Sequence, residues 1–171
     1  MLSIDNQHAE RKVSAGRMQA MNTRVGPETG ITPFFTDDHR ACDEAWARVE
    51  ALIDDDDHDG ARAAFRAFDT VTRRHLDLEE QILFPSFEEV TGATGGPTFM
   101  MRLEHERMRG LLDQMAAAKD LEALGNLGDT LLMLTQQHNV KEESFLYPLA
   151  DRALRNHWAT IAPRVVERLA P

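Results

Sequence analysis

The sequence has a single cysteine, Cys42, so no disulfide can close within the chain. That scarcity is compatible with a reducing compartment. Basic residues are also few, 19 against 29 acidic ones, for a net charge of −10. Nucleic acids and anionic membrane surfaces are polyanions, so neither is an expected partner. No run approaches the ~20 apolar residues that a membrane helix needs. Residues 1–30 carry Asp5, Glu10, Arg11, Lys12 and Arg17 where a secretory signal would be apolar. A soluble, cytoplasmic protein is expected. No stretch shows the apolar–polar alternation of a half-buried strand.

What is present is an ordinary globular composition, 42% hydrophobic and 28% charged over 171 residues, enough for one domain with a sizeable core. Residues 1–32 are polar and broken by Gly16, Gly26, Pro27 and Gly30, with Pro33 following. They read as an N-terminal extension with a short surface helix over 11–23. Helical spacing then sets in. The pattern predicts a helix from Thr36 to Ile53, capped by Thr36 or Asp37, with Phe35, His39, Cys42, Trp46, Val49 and Ile53 on one stripe. A second helix is expected from Ala61 to Phe84, with Phe65, Phe68, Thr72, His75, Glu79 and Ile82 aligned. The glycine-rich linker 91–96 precedes a third from Pro97 to Ala118, whose stripe is Met101, His105, Met108, Leu112 and Met115. A fourth, Leu121 to Tyr147, aligns Leu124, Leu127, Leu131, Leu134, His138, Glu142 and Phe145. The expected fold is all-α, an up-down four-helix bundle over 33–150. Residues 151–171 form a C-terminal helical segment that caps the bundle or packs on another copy as a homo-oligomer.

The motif that organises this pattern occurs twice. Residues 75–85 read HLDLEEQILFP and residues 138–148 read HNVKEESFLYP. Each is preceded, one helix earlier, by a lone histidine, His39 or His105. In an up-down bundle the starts of helices one and three lie at the same end as the finishes of helices two and four. His39, His75, His105 and His138 therefore meet at one level. Glu79 and Glu142 stand one turn from their histidines, about 6 Å along the axis. A single histidine on an apolar face is usually a core residue with one hydrogen bond. Two buried carboxylates are harder to accommodate, because desolvation demands partners. A pair of divalent metals would satisfy all six groups, imidazoles supplying nitrogen and each carboxylate able to bridge.

Other residues carry blander readings. Glu80 and Glu143 lie five residues from their histidines and are expected on solvated faces. Asp43 is either an extra acceptor near His39 or a surface residue. Tyr147 and Phe84 are expected to pack, and Met101 and Met108 to line the interior. The acidic run 54–59 lacks the positional pattern of a calcium loop, so it is expected to be a solvated turn holding His58. His8 has no partner at ligand spacing and reads as an incidental surface residue, and His157, beside Trp158, reads as structural or exposed.

These motifs, with MRLEHERMR around His105, make the chain similar to hemerythrin-like proteins with an HHE cation-binding domain. The resemblance covers about residues 35–150. It implies a carboxylate-bridged pair of iron ions held by His39, His75, Glu79, His105, His138 and Glu142. It also implies a small diatomic or peroxide as ligand, or a part in iron handling. Oxygen-carrying members have a second histidine four residues after the one on helix three, where this chain has Arg109. That departure leaves coordination positions open on both metals and speaks against a simple reversible oxygen carrier. Arg109 is expected either to pair with a carboxylate near the site or to point outward.

The readings that remain are a metal-binding protein that binds or senses a small oxidant, an oxidoreductase turning over peroxide, oxygen or nitric oxide, and a bundle with a purely structural zinc or manganese.

Overall fold

The computed structural model describes residues 29–169. The short helix expected over 11–23 and His8 fall outside them. Among the described residues every regular element is helical. In chain order these are α1 (Ile31–Asp54), α2 (His58–Leu78), α3 (Phe84–Thr91), α4 (Pro97–Ala117), α5 (Leu121–Lys141), α6 (Tyr147–Ala153) and α7 (Trp158–Leu169). Single π-helical turns, Glu79–Leu83 and Glu142–Leu146, join α2 to α3 and α5 to α6 without a break. The bundle thus has four rods: α1, α2 through α3, α4, and α5 through α6. No helix among the described residues is long and apolar enough to cross a membrane.

The helix ends show how the sequence sets these bounds. α1 begins at Ile31, five residues before the expected start, because its cap comes from far along the chain. Asp151 of α6 accepts the Ile31 N–H at 2.7 Å and the Thr32 N–H at 3.2 Å, and also the Thr32 hydroxyl at 2.6 Å. Pro33 has no N–H to satisfy, so it is tolerated in this first turn. Gly30 turns into the helix at a φ of 78°, in the region that favours glycine. The acidic run is a tight turn whose Asp57 caps α2 by accepting the Gly60 N–H at 3.0 Å. His58 is exposed there, and His157 is exposed before α7. Gly92, at φ 71°, closes α3 in the left-handed conformation. Asp120 caps α5 through the Ala123 N–H at 2.8 Å.

Apolar side chains form two clusters. One, at the end where α1 begins, gathers Ile31, Phe34, Phe35, Leu83, Phe84 and Leu146, and α7 adds Trp158, Ile161 and Val165. The C-terminal helix therefore packs its apolar face on its own bundle. The other cluster fills the opposite end with Trp46, Val49, Phe65, Phe68, Leu112, Met115, Leu124 and Leu131. Between them lies a buried polar layer containing Asp38, His39, His75, Glu79, His105, His138 and Glu142.

Candidate metal centre

The π-turns build this layer. Proline lacks an N–H, and its ring collides with the carbonyl four residues back. Pro85 and Pro148 stand at corresponding places, and just before each the helix widens by one residue. The Phe84 N–H bonds to the Glu79 carbonyl and the Tyr147 N–H to the Glu142 carbonyl, a span of five residues. Residues five apart then share a face. Glu142 and Tyr147 meet across one π-turn, with the phenol oxygen 2.9 Å from Glu142 Oε2. In the other half, the Phe84 ring lies against His105 with centroids 5.6 Å apart. The extra residue also rotates the side chains beyond it about the helix axis. Phe145, expected on the inner stripe, is 58% exposed, whereas Leu146 and Tyr147 are buried.

The six residues singled out in the sequence come together. Each glutamate lies between histidines of the two halves. Glu79 Oε2 is 3.4 Å from His75 Nε2 and 3.3 Å from His105 Nε2. Glu142 Oε2 is 3.3 Å from His39 Nε2, and its Oε1 is 3.1 Å from His138 Nε2. His105 Nε2 and His138 Nε2 are 3.1 Å apart. Two sets of donor atoms each lie within 4.8 Å of one another: Glu79, His105, His138 and Glu142, and His39, His75 and Glu142.

The outer nitrogens of the histidines are all held by acids. His39 Nδ1 bonds to Glu143 at 2.8 Å, His75 Nδ1 to Asp38 at 3.0 Å, His105 Nδ1 to Glu80 at 2.8 Å and His138 Nδ1 to Glu104 at 2.9 Å. An ionised carboxylate only accepts, so each Nδ1 carries the hydrogen and each Nε2 faces inward. This is the arrangement that orients and enriches an imidazole ligand. The acids follow a rule across the two halves. The residue before each lone histidine, Asp38 or Glu104, serves the other histidine of its own half. The second acid of each Glu-Glu pair, Glu80 or Glu143, serves the lone histidine of the opposite half. Arg74, Arg109 and Lys141 brace Asp38, Glu80 and Glu104 from outside.

Charge follows from this crowding. Burial opposes the positive form of His39, but Glu142, Glu79 and Glu143 outweigh it and lift its pKa to about 9. Burial likewise opposes charge on His105, and Glu79 and Glu80 raise it to about 9. Burial would raise Glu142, yet His138 and His39 hold it well below the usual carboxylate range. Tyr147 is pushed well above its ordinary value by burial and by the Glu142 and Glu79 charges. Without a metal, the raised His39 and His105 offset the carboxylate charge that surrounds them.

The donor set fits metal ions by a test internal to the structure. His75 Nε2, Glu79 Oε2 and Glu142 Oε1 are buried, face the centre and have no hydrogen-bond partner. Each meets only neighbouring ionisable groups rather than a well-directed hydrogen bond, and a shared cation would satisfy all three. The chain matches the hemerythrin HHE cation binding domain over residues 30–159. It belongs to that family. Comparison with curated proteins and with solved structures found no match.

Within this HHE bundle some expectations need correction. Glu80 and Glu143 are only partly exposed and are more than solvated face residues, since they anchor His105 and His39. Asp38 and Glu104 were missed as imidazole partners. The signal for both pairs was an acid immediately before each lone histidine and a second glutamate after each His-x3-Glu. Tyr147 is more than a packing residue, because its hydroxyl is 2.7 Å from Glu79 Oε1 and 3.0 Å from His39 Nε2. Arg109 turns away from the centre to Glu80 at 2.8 Å and Asp77 at 2.6 Å. Asp43 is exposed and lies outside both donor sets. Met101 and Met108 are buried lining, as expected.

Proposed function

We propose that this cation-binding domain holds two iron ions, with His39, His75, His105 and His138 as nitrogen ligands and Glu79 and Glu142 as bridging carboxylates. We further propose that the centre binds or senses a small oxidant: oxygen, nitric oxide or peroxide. The observation that carries this reading is the position of the two glutamates, each between a histidine of one half and a histidine of the other. A carboxylate so placed could reach two ions at once, and mixed imidazole and carboxylate donors suit iron, zinc or manganese. Iron bound there would supply one-electron chemistry and coordination positions open to a diatomic. The chain's own part is to fix the four Nε2 atoms inward through Glu143, Asp38, Glu80 and Glu104 and to exclude bulk water. The test is metal analysis of protein purified without added metal, followed by optical spectra with peroxide and nitric oxide.

One observation favours an oxidoreductase as the second reading. The Tyr147 hydroxyl lies among the donors, hydrogen-bonded to Glu79, where it can give a proton to a reacting oxidant. Repeated turnover of peroxide by the iron-loaded protein, abolished in Tyr147→Phe, would decide for it.

A further inference from the structure

The donors are sealed from solvent. None of the six is more than 4% exposed, and apolar clusters close the layer on both sides. A ligand arriving from solvent needs a way in. One cavity lies beside this layer on its interior side. Its lining includes Cys42, Thr72 and Thr135. These stand three residues from His39, His75 and His138, and each is on the deeper side. That is a rise of about 4.5 Å along each helix. On the fourth rod the matching residue, Met108, is buried. The remaining walls include Trp46, Phe68 and Leu131.

We propose that this cavity is a holding site for an uncharged diatomic, oxygen or nitric oxide, on its way from the α1–α5 seam to the metal centre. The proposal rests on the function proposed above. Size fits first. The cavity offers about 20 Å³, slightly more than the ~10–15 Å³ that one water requires, and oxygen and nitric oxide are close to water in size. Chemistry fits next. The deep walls are mostly aromatic and aliphatic, and the two buried polar atoms among them without a partner, Trp46 Nε1 and Thr72 Oγ1, can each donate a hydrogen bond to a neutral guest. Such walls admit a neutral diatomic and do not repay the desolvation of an ion. The outer rim is formed by half-buried Leu132 and Thr135 with exposed Asp43, and the Asp43 carboxylate repels anions. The wall also depends on Gly128. A Cβ there would lie 2.0 Å from atoms of the Trp46 ring, so only glycine lets the indole lie against α5.

Xenon probes the cavity without any metal. Crystals under xenon pressure should show xenon between Trp46, Thr72 and Leu131. Thr135→Phe should plug the rim. In iron-loaded, reduced protein it should slow nitric oxide association about tenfold, with metal content and azide affinity unchanged. Leu132→Trp plugs the same rim and serves if Thr135→Phe does not load iron. No xenon in the cavity, or an unchanged nitric oxide rate in a plugged variant with full metal content, overturns the proposal. If the protein carries no iron, the function proposed above fails on its own, and the route is read by oxygen quenching of Trp46 fluorescence in a Trp158→Phe background. Quenching cut several-fold by the plug supports the route, and quenching indifferent to the plug overturns it.

Discussion

Arg109 donates a hydrogen bond of 2.8 Å to Glu80, and the same carboxylate oxygen holds His105 Nδ1 at 2.8 Å. The residue four places after His105 thus braces, from outside, the acid that holds His105. Arg109→His should therefore leave the number of imidazole nitrogens on the metals unchanged. X-ray absorption at the metal edge measures that number, and a gain of one nitrogen per chain would show that position 109 reaches inward.

The acids behind the imidazoles should matter to metal affinity. Asp38→Asn and Glu104→Gln remove the charge that orients His75 and His138. Each should weaken metal binding about 10–100-fold, with helical content retained because the two apolar clusters are untouched. Competition with a chelator of known affinity reads the effect. Affinity unchanged from the parent protein in both variants would mean that the histidines are held by packing alone.

Tyr147→Phe removes the hydroxyl that reaches Glu79, Glu142 and His39. In the metal-free protein this leaves a buried carboxylate short of a donor, at a cost of about 1–3 kcal/mol. Metal bound there as proposed would take over that carboxylate, so the loss in the loaded protein should be smaller. Thermal unfolding of both forms checks this, and equal losses would place the tyrosine outside the ligand network.

The raised histidines set a pH dependence. His39 and His105 have folded-state pKa values of about 9 against 6.5 unfolded. Their contribution to stability is complete below pH 6.5 and is lost as pH rises through about 9. The metal-free protein should thus melt at a lower temperature at pH 9.5 than at pH 6.5. Metal must displace both protons, so loading at neutral pH should release about two protons per chain and tighten as pH rises. Calorimetry in buffers of different ionisation enthalpy counts the protons, and a count of zero would contradict the charge assignment.

Much of this was legible in the sequence because helical spacing and a repeated motif carry register. The stripe positions of His39, His75, His105 and His138 follow from 3.6-residue periodicity, and the up-down order brings them to one level. Periodicity fails where the helix widens. The π-turns shift Phe145 outward and Tyr147 inward, which no uniform spacing anticipates. Their sequence trace is the proline after Phe84 and after Tyr147, which by itself signals only a disturbed helix. The anchoring acids were misread for a related reason. A glutamate five residues from a histidine points away from it on an α-helix, and only the facing rod reveals that it meets a different histidine. The cap on α1 was illegible because Asp151 is 120 residues away from Ile31.

The central claim is a pair of metals shared by Glu79 and Glu142, and anomalous diffraction at the iron edge from crystals of protein purified without added metal tests it most directly. The account predicts two iron peaks per chain, a few ångströms apart, each with histidine nitrogens and with both glutamates spanning them. A single peak, two metals sharing neither carboxylate, or zinc in place of iron would contradict it.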